Sequence, residues 1–389
     1  MPPPDLEAKP LAGLRVLDLS RLLPGPYATM VLGDLGAVVD KIEDPGAGDY
    51  LRVMPHQQDG MNAVFRTLNR GKRSAVLDLK KPEARAALLR LIPRYDVLVE
   101  TFRPGVLTKL GVGWDALSAA HPGLVYCAIS GYGQTGPLAN RAGHDIDYIA
   151  RAGVLGFTGP EGGPPQVPGV QIADIGGGAL FAVAGILAAL HARTTTGRGR
   201  FVDVSMCEGS LAFAAFGLGS FAGGSEEPRG GEVLMGGIAP YNTYVTKDGK
   251  AIALGALEPK FWTAFCAAAG LEPAMEALLP GPHQAGWKKK VADAIATRTR
   301  DEWAEIGRTQ DCCIEPVLEP GEVVTDELHV ERKMFVRDPE GRLQPRTPIA
   351  TLDAAGPAPR QGEHTDAVLR DAGFSDTEIA TLHTAGAAR

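Results

Sequence analysis

The 389-residue sequence is poor in cysteine and in aromatic residues, and several motifs that would fix a function are missing. Its five cysteines are an odd number with no CxxC pair, so we expect reduced thiols rather than a disulfide framework or a zinc site. Neither GxxxxGK[ST] nor GxSxG occurs, which excludes a P-loop nucleotide site and the nucleophile elbow of a hydrolase. The segment GYGQTG (131–136) has the glycine spacing of a dinucleotide-binding fingerprint, but no helix in the right register is predicted after it, so a nicotinamide enzyme is not expected.

Charge of one sign is not in large excess, and long hydrophobic runs are absent. The net charge of −7 gives no reason to expect nucleic acid as a partner. The N-terminal residues lack the apolar core of a signal peptide, and the richest apolar segment, Gly178–Leu190, is too short to span a bilayer. With 44% hydrophobic residues, the chain can bury a substantial core. We therefore expect a cytoplasmic protein without a membrane partner.

Short apolar strands alternate with helical segments in the first part of the chain. This alternation predicts βαβ units and a mainly parallel sheet, that is, a Rossmann-like α/β fold. Ligands bind such sheets beyond the carboxyl ends of the strands. The predicted strands are Leu14–Ser20, Ala37–Asp44, Arg73–Lys80, Asp96–Thr101 and Leu124–Gly133.

The second part of the chain predicts a separate small domain. Residues 1–222 are expected to form the large α/β domain, which residues 319–389 complete. The glycine-rich residues 223–231 are typical of a linker. Residues 232–318 begin with a predicted hairpin that turns at residues 247–249, followed by helices, which indicates a small α+β domain.

Two segments place acid–base groups at predicted helix starts: AGHDIDYIA (142–150) contains His144, and ADIGGG (173–178) contains Asp174. An aspartate before glycines and an apolar run is typical of a helix N-cap, and Asp145 fits the same role. The local pattern therefore favours capping, although His and Asp are also general acid–base residues. Glu258, before a proline, fits the first turn of a helix. The acidic residues beside His144 are too close in sequence to converge on one ion, so no metal site is expected.

Cationic side chains flank two of the predicted strands. Arg70, Lys72 and Arg73 precede one strand, and Arg103 follows another. Such clusters are typical of solvated turns, and also of docking sites for phosphates.

An ordered set of segments resembles the class III coenzyme A transferase (CaiB/BaiF) family over nearly the whole chain. These are LAGLRVLDLSRLLPGPYATMVLGDLGAVVDKIEDP, NRGKRSAVLDLK, ETFRPGVLTKLGVG, YCAISGYGQTGP and TGRGRFVDVSMCEG. The resemblance implies an interlocked homodimer and an acyl-CoA substrate, with no cofactor because coenzyme A is part of the substrate. With this substrate, the phosphate-docking interpretation of the four cations named above predicts that they contact CoA.

Two reactions occur in this family. Transferases use an aspartate, here Asp174, to carry the acyl group as a mixed anhydride. The α-methylacyl-CoA racemases exchange the α-proton through an enolate. AGHDIDY closely resembles the racemase motif, whereas typical transferases lack the histidine, and GGIAPYNTY, ALGALEPKFW and DCCIEPVL agree with it. Residues 48–69 are more similar to the transferase branch.

The resemblance therefore predicts a racemase of fatty-acid metabolism that acts on 2-methylacyl-CoA thioesters, with a class III transferase as the alternative. Its predicted catalytic residues are His144, Asp174 and Glu258, the last orienting the imidazole. The predicted supporting residues are Asp145, Cys313, Gly176 and Gly177, and backbone N–H groups near the two glycines would stabilise the enolate oxygen.

Overall fold

The computed structural model describes residues 9–226 and 228–389. Its strands are β1 (Arg15–Asp18), β2 (Val38–Glu43), β3 (Gln57–Gln58), β4 (Met61–Asn62), β5 (Arg73–Val76), β6 (Val97–Glu100), β7 (Val125–Ser130), β8 (Phe201–Ser205), β9 (Tyr241–Val245), β10 (Ala251–Gly255), β11 (Ile314–Pro316), β12 (Phe335–Arg337) and β13 (Leu343–Pro345). Six of them form one parallel sheet in the order β5-β2-β1-β6-β7-β8, so the predicted α/β fold is confirmed. The order reverses between β1 and β6, where ligands bind in such sheets.

Helices connect and flank the strands. They are α1 (Pro24–Asp34), α2 (Ala63–Leu68), α3 (Pro82–Leu91), α4 (Val106–Lys109), α5 (Trp114–Ala120), α6 (Asp145–Arg151), α7 (Val154–Phe157), α8 (Phe181–Thr196), α9 (Met206–Phe213), α10 (Ala215–Ala222), α11 (Pro259–Ala269), α12 (Gln284–Ile295), α13 (Arg300–Gln310), α14 (Pro320–Val323), α15 (Glu327–Glu331), α16 (Thr365–Asp371) and α17 (Asp376–Thr384). A π-helical segment, Ile172–Leu180, runs directly into α8.

The chain divides into two compact units. The first comprises residues up to 152 with 170–212 and 327–389, and the second comprises 153–169 and 213–326. The second unit therefore includes the segment expected as a linker. It also includes residues 153–169, 213–222 and 319–326, which the sequence prediction assigned to the large domain.

The first unit is built around the parallel sheet. Strands β6 and β7 are buried at every position, as their mostly apolar residues suit a sheet that is covered on both faces. The C-terminal segment belongs to this core: Val368 and Leu369 of α16 and Ile379 of α17 are buried in it.

The helix that combines the π-helical segment with α8 is longer than the apolar segment predicted from sequence. It has 25 residues, and an 18-residue stretch within it has a mean hydropathy of 1.9, so by length and composition it could cross a membrane. It nevertheless packs against β7, β8 and α1. Core helices meet the same criterion, so its length alone does not identify a membrane segment.

The second unit contains a three-stranded antiparallel sheet in the order β11-β10-β9. The turn between β9 and β10 uses Gly249 at a positive φ of 75°, at the predicted hairpin position. Helices α11, α12 and α13 contribute the large buried side chains, among them Trp262, Phe265 and Trp303.

Candidate active site

His144 occupies the N-cap position of α6, and the surrounding contacts hold it there. Its backbone N–H donates to Asp147 Oδ2 at 2.9 Å, which closes the first turn. The buried Tyr148 donates its hydroxyl to the Gly143 carbonyl and packs edge-on against Tyr132, with ring centroids 5.2 Å apart. The imidazole is therefore exposed on a fixed backbone.

Asp145 connects this turn to the π-helical segment. Its Oδ1 accepts the backbone N–H groups of Ala173 at 2.7 Å and Asp174 at 2.9 Å. The sequence pattern favoured Asp145 as the cap of its own helix and Asp174 as the cap of the next. Instead, Asp145 caps the neighbouring helix, whose N-cap position is Gln171, and Asp174 lies in the first turn.

Asp174 is electrostatically coupled to the residues that hold it. Burial, together with the negative charge of Asp145, raises the pKa of Asp174 from 3.8 to about 6, and His144 opposes the shift. Within the described residues, no hydrogen bond reaches the Asp174 carboxylate. A carboxyl with a pKa near the working pH suits proton transfer in either direction.

Arg103 lies within the electrostatic reach of this site. Burial raises the pKa of Tyr148 to about 12, the charge of Asp174 adds to the shift, and Arg103 opposes it. Arg103 itself is exposed, at the carboxyl end of β6. The first unit therefore places Arg103 near enough to act electrostatically on Tyr148, which lies one helical turn after His144.

Gly177 allows the π-helical segment to approach the start of α9. A Cβ on Gly177 would lie 2.7 Å from the carbonyl oxygen of Met206, and one on Gly209 would lie 2.0 Å from the carbonyl oxygen of Gly177. These glycines therefore meet a packing requirement. The predicted role of the Gly176 and Gly177 N–H groups toward an enolate stays a prediction.

Three of the four predicted phosphate contacts form ion pairs inside the first unit. Arg70 binds Asp34 through Nε at 3.1 Å, and Lys72 binds Asp18 at 3.0 Å; both cations are only 4% exposed. Arg73 is less buried and pairs with two carboxylates, those of Asp40 and Asp371. This pairing favours structural roles for the three cations. Arg103 keeps the exposure that a phosphate contact requires.

The Asp18 carboxylate belongs to a buried charge network that the sequence pattern did not indicate. Burial opposes its ionisation, but Lys41 and Lys72 hold its pKa well below the usual range. Lys41 also donates to the Ser20 carbonyl at 2.7 Å, in the loop that follows β1. The network therefore fixes a loop at the carboxyl edge of the sheet.

The second unit brings Glu258 and Cys313 together. Glu258 is exposed at the N-cap of α11, and its carbonyl accepts the N–H of Trp262. Burial, followed by the charge of Glu258, raises the pKa of the Cys313 thiol. Cys313 has a positive φ of 53°, a strained conformation for a residue with a side chain. The predicted action of Glu258 on His144 stays a prediction.

The second unit also holds an apolar cavity of about 420 Å³. No charged residue is among the described residues that line it. Its larger lining side chains are Val154, Phe157, Phe213, Phe216, Leu234 and Met235. Across the described residues, no three His, Cys, Asp or Glu side chains are grouped so that they could hold a metal ion.

Tyr148, on the helix that begins after His144, and Glu100 were not predicted from sequence. In the sequence AGHDIDYIA, nothing distinguishes Tyr148 from the neighbouring apolar residues of the helix. The hydrogen bond of its hydroxyl to Gly143 depends on the fold. Glu100 is 5% exposed, at the carboxyl end of β6. The only sequence signal for it is an acidic residue that ends an otherwise apolar strand.

Comparisons with known proteins agree on the family. The model of CoA-transferase family III matches residues 11–365. Human alpha-methylacyl-CoA racemase is 40% identical over 386 residues, which cover 96% of each chain. Human succinyl-CoA:glutarate CoA-transferase is 32% identical over 398 residues, which cover 97% of this chain and 90% of the relative. A CaiB/BaiF family crystal structure from Brucella suis is 31% identical and has a TM-score of 0.81, covering 94% of this chain and 99% of the other. The chain therefore belongs to CoA-transferase family III.

Proposed function

We propose that the protein racemises 2-methylacyl-CoA thioesters by moving the α-proton from one face to the other. The observation that carries the proposal is that the exposed imidazole of His144 and the Asp174 carboxylate, which accepts no hydrogen bond within the described residues, lie at two helix starts. Asp145 joins these helix starts through its hydrogen bonds to the backbone. The 40% identity to racemases over 96% of the chain supports the same reaction.

The reaction needs one group on each face of the α-carbon. One group removes the proton, and the electron pair moves to the thioester carbonyl oxygen to form an enolate. The second group then returns a proton on the opposite face. We assign these steps to His144 and Asp174. Because the pKa of Asp174 is about 6, both its acid and its base forms are accessible near neutral pH.

Other residues have supporting roles in this proposal. Backbone N–H groups at Gly176 and Gly177, near a helix start, would stabilise the enolate oxygen. Asp145 orients the Asp174 backbone, and Glu258 would orient His144 as a carboxylate orients an imidazole. Arg103 is proposed to contact a phosphate of CoA.

The acyl group is proposed to be a hydrocarbon chain. The support is the name of the relatives at 40% identity, alpha-methylacyl-CoA racemase, which specifies a methyl-branched acyl group. We further propose that the chain acts in the cytoplasm as an interlocked homodimer, as the resemblance implies.

The test follows the α-proton with each 2-methylacyl-CoA epimer in deuterated water. His144→Ala and Asp174→Asn should each lower racemisation by about 10²–10⁴-fold, because each removes one of two required groups. Each variant should keep measurable deuterium exchange with only one epimer, and the two variants with opposite epimers. Full racemisation by His144→Ala would exclude this mechanism.

A CoA-transferase is the second candidate, since transferase relatives cover most of the chain. It would move CoA between carboxylic acids through an anhydride on Asp174. Hydroxylamine would convert that anhydride to a hydroxamate on Asp174, detectable by mass spectrometry. The racemase proposal predicts no hydroxamate and no transfer of CoA to an added carboxylic acid.

A further inference from the structure

Three neighbouring strands place two carboxylates on one face of the parallel sheet. Glu100, the last residue of β6, lies opposite Ala128 of β7, and Ala128 lies opposite Asp203 of β8. Residues that are directly opposite in a sheet share a face. The small side chain of Ala128 therefore separates Glu100 from Asp203, and neither carboxylate has a part in the proposed proton transfer.

Glu100 is buried and makes two hydrogen bonds. Its Oε2 accepts the backbone N–H of Phe102 at 2.6 Å, and its Oε1 accepts the hydroxyl of Tyr126 at 3.3 Å. The Tyr126 ring stacks on Phe201, with centroids 5.2 Å apart, and meets Trp114 edge-on at 6.0 Å. The carboxylate thus ties the start of the segment after β6 to a fixed aromatic cluster.

The segment held by Glu100, residues 101–105, borders the candidate active site. Thr101 accepts the backbone N–H of Arg21 at 3.1 Å through Oγ1, and the Arg21 guanidinium lies 5.5 Å from the Phe102 ring centroid. Arg103, which follows Phe102, acts electrostatically on Tyr148, on the helix that begins after His144. A shift of this segment would therefore move Arg103 relative to the site.

We propose that Glu100 is a positioning residue that sets the affinity for CoA by fixing the backbone that carries Arg103. The proposal rests on the proposed function for the identity of the ligand. Glu100 touches no reacting atom, so its effect should appear in binding rather than in the chemical step.

The surroundings of Glu100 make this positioning dependent on pH. Burial raises the pKa of Glu100 to about 7, and the charge of Asp203 on β8 adds to the shift. On β7, Tyr126 lowers the Glu100 pKa through its hydrogen bond, and the buried Cys127 thiol has its own pKa raised by burial and then by the charge of Glu100. An ionised acceptor binds an N–H more strongly than a neutral one. The segment should be held tightly above pH 7 and loosened below it.

The experiment titrates coenzyme A calorimetrically into the full-length protein between pH 6 and pH 8. For the wild type, we expect the Kd to fall by about threefold to tenfold as the pH rises. Glu100→Gln keeps an acceptor for Phe102 and a partner for Tyr126 but cannot ionise. Its Kd should therefore stay near the wild-type value at pH 6, apart from the titration of CoA phosphates, which both proteins share.

Two further variants keep Glu100 but should shift the pH midpoint at which the Kd for CoA changes. Tyr126→Phe deletes a hydroxyl that lowers the Glu100 pKa, so the midpoint should shift to higher pH. Asp203→Asn deletes a charge that raises this pKa, so the midpoint should shift to lower pH. These variants decide the question even when Glu100→Gln fails to fold.

The proposal would be overturned if the Kd for CoA had the same pH dependence in the wild type and in Glu100→Gln. It would also be overturned if neither Tyr126→Phe nor Asp203→Asn shifted the pH midpoint of this Kd. A Glu100→Gln variant that lowers the kcat of α-exchange but leaves the KM unchanged would overturn it too. If the wild-type protein binds CoA but exchanges no α-proton, the proposed function is wrong. The role of Glu100 can still be tested in that case, because the CoA titration does not depend on the reaction.

Discussion

The ionised form of Asp174 is less stable in the folded chain than in the unfolded chain, because burial and the charge of Asp145 raise its pKa from 3.8 to about 6. The folded state therefore binds more protons between these two values, so stability falls as the pH rises through this window. Above pH 6 the full penalty is present. Asp174→Asn should then raise the free energy of unfolding at pH 8 by about 1–3 kcal/mol, measured by urea denaturation.

At pH 3.5 most of that gain should vanish, since Asp174 is then protonated in both states of the wild type. The exposed Asp353 supplies the matched control, and Asp353→Asn should change stability little at either pH. A gain of equal size at both pH values would assign the effect of Asp174→Asn to packing instead of charge.

The surroundings of a single residue could be predicted only where the cause is local or shared across the family. His144 and Asp174 stand in motifs that carry a resemblance, and both lie in one site. Arg70 and Lys72 stand in a basic turn, but their carboxylate partners are 36 and 54 residues away in sequence. Only the folded chain brings such partners into contact, so the sequence could not separate a phosphate contact from a buried ion pair.

Among the elements, strands of the parallel sheet were predictable because buried apolar runs identify them. The predicted strand at residues 96–101 corresponds to β6, and that at 124–133 contains β7. The π-helical geometry of Ile172–Leu180 was not predictable. It arises where glycines let this segment contact α9, and that contact joins residues distant in sequence.

This contact gives a prediction for Gly209. A methyl group there would lie 2.0 Å from the carbonyl oxygen of Gly177, and backbone cannot rotate away as a flexible side chain can. Gly209→Ala should lower the free energy of unfolding by about 1–3 kcal/mol or more, and should reduce α-proton exchange by displacing the segment that carries Asp174. Chemical denaturation and the deuterium assay measure the two effects.

Gly286, also within a helix, is the matched control because a Cβ there meets no atom within 4 Å. Gly286→Ala should be neutral or should stabilise by about 0.5–1 kcal/mol through helix propensity. Equal effects of the two alanine substitutions would show that helix propensity, and not the contact with Gly177, decides the outcome at Gly209.

For the whole molecule, exposed large apolar side chains are concentrated in one stretch of the chain, residues 211–221. Phe221 is 74% exposed, and four other large apolar side chains of the stretch are more than 40% exposed. These four are Leu211, Phe213, Phe216 and Leu218. Such a concentration of exposed apolar side chains is typical of an interaction site. A second copy of the chain is the partner that the family resemblance implies.

Sedimentation should therefore give twice the 40.9 kDa mass of one chain, even at nanomolar concentration. If the two chains are interlocked, they cannot separate while folded, so differently labelled dimers should exchange subunits no faster than the protein unfolds. Phe221→Asp should lower the Tm and speed this exchange, because it places a charge against buried apolar surface. Ile349→Asp, at an exposed apolar residue elsewhere, should change neither. A monomeric mass would contradict the dimer, whereas rapid exchange between folded dimers would contradict interlocking alone.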